Sequence, residues 1–148
     1  MTANPSTWVV DASVAFAWFV DVPGSERAAQ LLTPETPIIL LAPDLILAEL
    51  LNAGWKTFRV GAITAKQFDA LVHRAAEPFS QIVASSTLTR RARHWCTELD
   101  HCAYDCLYVA LAEQMNATLI TADQRLLNKL NQYRAGKPSS LDLAALPG

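Results

Sequence analysis

Four carboxylates stand where carboxylates are costly. Asp11 ends the apolar run Trp8-Val9-Val10, and Glu49 lies inside Leu45-Ile46-Leu47-Ala48-Glu49-Leu50-Leu51. Asp105 precedes Cys106-Leu107-Tyr108-Val109-Ala110-Leu111-Ala112, and Asp123 closes Thr118-Leu119-Ile120-Thr121-Ala122. An acid surrounded by apolar neighbours must be paired, protonated or bound to a cation, because an isolated buried charge costs several kcal/mol. Four such acids on four separate segments share their simplest explanation in one divalent cation site. Hard ions such as Mg²⁺ or Mn²⁺ take oxygen ligands of this kind, and one or two of them can activate water for phosphodiester cleavage. Without a cation the four charges would repel, and some would hold a proton at neutral pH.

The elements that must position these acids follow from the hydrophobic pattern. Apolar runs at 7–11, 37–41, 79–83 and 117–121 read as strands bounded by turn signals. Between them helical periodicity covers 14–20, 26–32, 43–60, 64–77, 86–99, 103–116 and 123–132. Thr121-x-x-Gln124 matches a capping box for the last of these helices, and residues 136–148 either add one edge strand or trail. Alternating strands and helices specify an α/β fold, a three-layer domain with a mainly parallel central sheet flanked by helices, spanning 1–148 as one domain. On that scaffold Asp11 and Asp123 fall at the carboxyl ends of strands, where open α/β sheets bind ligands. Asp105 lies in the first turn of its helix, and Glu49, Asn52 and Lys56 form a polar stripe on an otherwise apolar helix.

Composition narrows the classes. The chain has 148 residues, 51% of them hydrophobic, with a formal net charge of −2, so a nucleic-acid partner would have to meet a local basic patch. Arg90, Arg91 and Arg93 are the densest such cluster, and Lys56, Arg59 and Arg125 lie nearer the acids. A solvated helix face accounts equally well for the arginine cluster. Trp18, Trp55 and Tyr108 could stack bases, although packing is the simpler role for aromatics among Ala and Leu. The amino terminus lacks a signal-peptide layout, and the longest apolar stretch, 38–51, is broken by Pro43, Asp44 and Glu49, so a cytoplasmic protein with no membrane span is expected. Cys96, Cys102 and Cys106 do not form a disulfide framework; with His94 and His101 they could form a zinc site, but they lack the paired knuckles such sites use. The 45–55 and 14–20 helices are apolar nearly all round, which points to an oligomer interface or a partner groove.

Four segments together carry a family resemblance: Val9-Val10-Asp11-Ala12-Ser13-Val14-Ala15, the stretch from Pro43 to Ala53 around Glu49, Tyr104 to Glu113 around Asp105, and Leu119 to Leu127 around Asp123. In that order they resemble the PIN-domain ribonucleases, and more narrowly the VapC-type toxins of toxin–antitoxin modules. The resemblance implies an acidic quartet of Asp11, Glu49, Asp105 and Asp123 around Mg²⁺ or Mn²⁺, with Asp11 and Asp105 the most direct ligands. It implies supporting roles for Ser13, Thr121 and Asn52. It also implies a homodimer, a VapB-type antitoxin partner and a structured RNA substrate such as tRNA or a ribosomal RNA loop; by their charge and position Lys56, Arg90, Arg93 and Arg125 are the candidate RNA contacts. Cys106 departs from the pattern, which usually has Ala there. Two alternatives stand beside this one. A non-enzymatic binding module could use the acids in structural pairs or hold zinc, and a phosphatase of the haloacid dehalogenase kind would need a second Asp where the chain has Ser13.

Overall fold

The computed structural model describes residues 5–133 and 136–146. Five strands, β1 (Ser6–Val10), β2 (Ile38–Pro43), β3 (Gln81–Val83), β4 (Thr118–Thr121) and β5 (Ser140–Asp142), form one sheet in the order β3-β2-β1-β4-β5. Every adjacent pair is parallel. The helices are α1 (Ala12–Phe19), α2 (Ser25–Ala29), α3 (Leu45–Arg59), α4 (Ala65–Arg74), α5 (Thr89–Leu99), α6 (Ala103–Gln114) and α7 (Gln124–Gln132). The chain winds from β1 through β2 to β3, then jumps across β1 to β4 and β5. Right-handed crossovers therefore place the helices before β3 on one face and those after it on the other. Packing agrees: α1 contacts α2, α3 and α4, while α6 lies on β1, β2 and β4 with α5 against it.

The strands are apolar and buried from both sides, as a covered parallel sheet requires. Val9, Val10, Leu40, Leu41, Leu119 and Ile120 join Val109, Leu111 and Ile46 in one core. Helix α3 approaches α4 closely enough that a Cβ on Gly54 would lie 2.9 Å from Phe68 Cδ1, so the glycine removes the atom that would hold them apart. Thr64 and Gln67 form a reciprocal capping box at the start of α4. Among the described residues no helix is long and apolar enough to cross a membrane.

One expectation needs correction, and one open alternative is resolved. Thr121 and Gln124 do not form a capping box: Asp123 is the N-cap of α7, accepting from the backbone N–H groups of Arg125 and Leu126, and Gln124 instead donates to Asp142. An Asp one residue before the helix outcompetes a Thr three residues before it, because its carboxylate already reaches the first free amides. Of the two alternatives for the carboxyl-terminal stretch the edge strand holds: β5 pairs with β4 and forms the sheet edge.

Candidate active site at the sheet switch point

The winding direction reverses between β1 and β4, and loops at such a reversal diverge to opposite faces and leave a crevice at the strands' carboxyl ends. Asp11 directly follows β1 and Asp123 follows β4 by one residue. Each caps the helix that comes next: Asp11 Oδ1 accepts from Val14 N at 3.2 Å, and Asp123 Oδ1 accepts from Arg125 N at 2.9 Å. The two loops are tied together. The Ser13 hydroxyl donates to Asp11 Oδ1 at 2.6 Å and accepts from Ala122 N at 3.3 Å. The Thr121 hydroxyl, fully buried, accepts from Asp123 N at 3.0 Å and also faces the Asp11 carboxylate. Ser13 and Thr121 thus support the first and last acids.

Asp105 joins the two sides. It enters from the first turn of α6, and its charge acts on both Asp11 and Glu49. Asp11 is 8% exposed and its carboxyl is pushed up to about 6, chiefly by burial and further by the Asp105 charge, against the lowering effect of Ser13, Thr121 and the Val14 amide. Glu49, half-buried on α3, is likewise raised, mainly by burial and in part by Asp105. The Tyr108 hydroxyl donates to Glu49 Oε1 at 2.6 Å, and burial beside that carboxylate raises the tyrosine's own pKa.

On the other side of Asp105, its Oδ2 lies 2.7 Å from His101 Nε2. One ligand atom each from His101, Asp105 and Asp123 fall within 4.8 Å of one another. These three residues, with Cys96, Asp100, Cys102, Arg125 and Lys129, line an open cavity of about 400 Å³. Asp11 and Glu49 are not members of this trio but both feel the Asp105 charge, so Asp105 links the buried acids to those lining the cavity.

The remaining sequence candidates separate. Arg125 lines the cavity, whereas Arg90 and Arg93 are exposed on α5 and do not. Arg91 is held by a two-pronged ion pair to Glu113. Lys56 is exposed in the last turn of α3, and Asn52 lines an apolar groove with Ala48, Leu51, Trp55 and Phe68, so the polar stripe of α3 divides between two environments. Trp18 is structural: its indole N–H donates to Ala28 O and its ring packs on Phe79. The cysteines do not gather a zinc ligand set with the histidines; among the described residues the candidate metal group takes His101 with two aspartates and no thiol. Cys106 is buried, with its thiol pushed up to about 12 by burial and by Cys96 beside it, which makes it an inert core thiol. The sequence offers His101 only as a zinc ligand and Tyr108 only as a stacking or packing aromatic, although Tyr108 lies one helical turn after Asp105.

Residues 8–131 match the PIN domain family model. The chain is 30% identical over 123 residues to Ribonuclease VapC3 of Pyrobaculum aerophilum, an alignment covering 82% of this chain and 92% of the relative. The chain therefore belongs to the PIN domain family, and it falls with the VapC-type members. Solved structures share the fold. The Pyrobaculum aerophilum protein PAE2754 superposes with a TM-score of 0.69 at 21% identity, covering 95% of this chain and 93% of that one. FitAcB from Neisseria gonorrhoeae gives 0.64 at 16%, covering 94% and 99%. VapBC2 from Rickettsia felis, bound to a DNA fragment from its promoter, gives 0.64 at 15%, covering 92% and 98%.

Proposed function

We propose that this chain is a metal-dependent endoribonuclease and the toxin of a type II toxin–antitoxin pair, acting in the cytoplasm on structured RNA, with residues 1–148 as one catalytic unit. The observation that carries the reading is the position of Asp105 at the switch point, where its charge reaches Asp11 and Glu49 and its carboxylate meets His101 and Asp123. The family relationship and the relative named as a ribonuclease supply the reaction class.

The donor set fits a divalent cation. The carboxylates are hard oxygen donors, and Asp11 is so buried that it would keep a proton up to about pH 6 unless a cation replaced it. Asp11, Glu49, Asp105 and Asp123 would hold Mg²⁺ or Mn²⁺, which when bound lowers the pKa of water and stabilises charge on a phosphodiester oxygen. The chain's own residues prepare that site. Ser13 and the Val14 amide fix the Asp11 carboxylate, and Tyr108 fixes Glu49. Arg125, at the cavity mouth, suits the RNA phosphates, and Lys56, Arg90 and Arg93 would contribute weaker electrostatic contacts further out.

The partner reading rests on α3. Leu47, Leu51 and Trp55 are 40–47% exposed beside the apolar groove, whereas α1 buries Val14, Ala15 and Ala17. Such a face suits a VapB-type antitoxin segment, with an antitoxin arginine entering among the carboxylates in place of the cation. A homodimer would bury further apolar surface of the same kind. The test is incubation of total cellular RNA with the chain freed of any copurifying antitoxin. Discrete fragments that require Mg²⁺ or Mn²⁺ and vanish with EDTA are expected, and the mapped ends identify the substrate. Cleavage unaffected by EDTA would exclude the metal site as its cause.

A further inference from the structure

His101 lies in the short turn between α5 and α6. Asp100 adopts a left-handed conformation (φ 47°) at the end of α5, and Cys102 is the N-cap of α6. That reversal carries the imidazole inward, and its side chain is only 5% exposed. A polar ring placed there needs a polar partner, since burying it unpaired costs free energy that an apolar side chain would avoid. The partner is Asp105, at 2.7 Å, and the ligand atoms of His101, Asp105 and Asp123 span no more than 4.8 Å. Ligand atoms on one small divalent ion lie about 3 Å apart when adjacent and about 4.2 Å when opposite, so side-chain rotation alone, without backbone movement, can close the trio on one ion.

We propose that His101 is a nitrogen ligand of the cation held by Asp105 and Asp123, and that it makes this site favour transition-metal ions such as Mn²⁺ over Mg²⁺. The inference rests on the reading that Asp105 and Asp123 hold a cation. It adds a mixed nitrogen–oxygen donor set, for which imidazole matters: all-oxygen sites suit Mg²⁺, while imidazole improves binding of first-row transition ions. Arg125 and Lys129 share the cavity and limit how many anionic ligands it needs, which leaves room for a neutral one.

Pulsed electron paramagnetic resonance of the Mn²⁺-loaded full chain tests the ligation directly, through the coupling of the ion to a bound imidazole nitrogen. The wild-type protein should show that coupling. His101→Leu, which keeps apolar bulk, and His101→Gln should both lose it. Their Mn²⁺ affinity should fall about tenfold or more, with Mg²⁺ affinity changed less than about threefold. Mn²⁺ binding that depends on Asp105 but shows no nitrogen coupling in the wild type would overturn the inference and leave His101 as a positioning residue for Asp105. Equal losses of Mn²⁺ and Mg²⁺ affinity would overturn the selectivity. Absence of any Mn²⁺ binding by the wild type would overturn the metal-dependent reading as well. The wild-type spectrum decides ligation even if a variant fails to fold.

Discussion

The inner and outer ends of the acid cluster differ in the way they hold charge. At the inner end Asp11 is nearly dry and Glu49 half-buried, both carboxyls are raised by burial, and short hydrogen bonds from Ser13 and Tyr108 fix them. At the outer end Asp105 and Asp123 border an open cavity with His101, Arg125 and Lys129. The inner end destabilises the fold when ionised and gains most from a cation. The outer end is accessible to a phosphate and already carries positive side chains. Asp105 belongs to both, so the cluster is best understood as two environments sharing one carboxylate.

That division can be broken in order of effect. Asp105→Asn removes the shared acid, and RNA cleavage should fall about a hundredfold or more in initial-rate assays. A loss of less than about threefold would mean the two ends work independently. Asp11→Asn keeps the cap on α1, since Asn accepts the same amide, but removes the buried charge. Cleavage should drop similarly while the metal-free protein gains stability at neutral pH, on the order of 2 kcal/mol. The native state holds the Asp11 proton up to about 6, whereas an ordinary carboxyl releases it near 3.8. Wild-type stability therefore falls as pH rises from 3.8 to 6 and stays lower above it, so the variant's advantage should be full above about pH 6 and vanish below 3.8. Denaturant titrations at the two extremes check this, and an advantage independent of pH would point to packing instead.

Tyr108→Phe deletes only the hydroxyl that Glu49 accepts from. A stability loss of about 1 kcal/mol and a several-fold loss of cleavage are expected. Unchanged values for both would show that Glu49 needs no fixed orientation. The smallest effects should come from single arginines. Arg125→Ala, at the cavity, should weaken RNA binding and reduce the salt slope by about 1, while Arg90→Ala, exposed on α5, should change it less. The reverse ranking in salt-dependent binding assays would move the RNA path to α5.

Much of this was legible in the residues because parallel strands are continuous apolar runs, and an acid at the end of such a run stands out, as Asp11 and Asp123 do. The two-part arrangement was not, because it depends on contacts remote in sequence. Glu49 and Tyr108 are 59 residues apart, so the tyrosine reads as core or as a base-stacking aromatic and not as a partner of Glu49. His101 groups with the cysteines by proximity along the chain, but the left-handed Asp100 turn carries it to Asp105. Strand β5 has three residues and one neighbour, too short a pattern to separate from a loop. At the start of α7 the residues read as a capping box from Thr121, and only the geometry shows that Asp123 caps the helix.

Whether the four acids act together on one cation-binding site is read from thermal unfolding with and without Mn²⁺ at pH 7.5 and pH 5. Mn²⁺ stabilisation should be large at pH 7.5, smaller at pH 5 where Asp11 is largely protonated, and lost in both Asp11→Asn and Asp105→Asn. Stabilisation that survives in both variants, or is absent in the wild type, would contradict such a site.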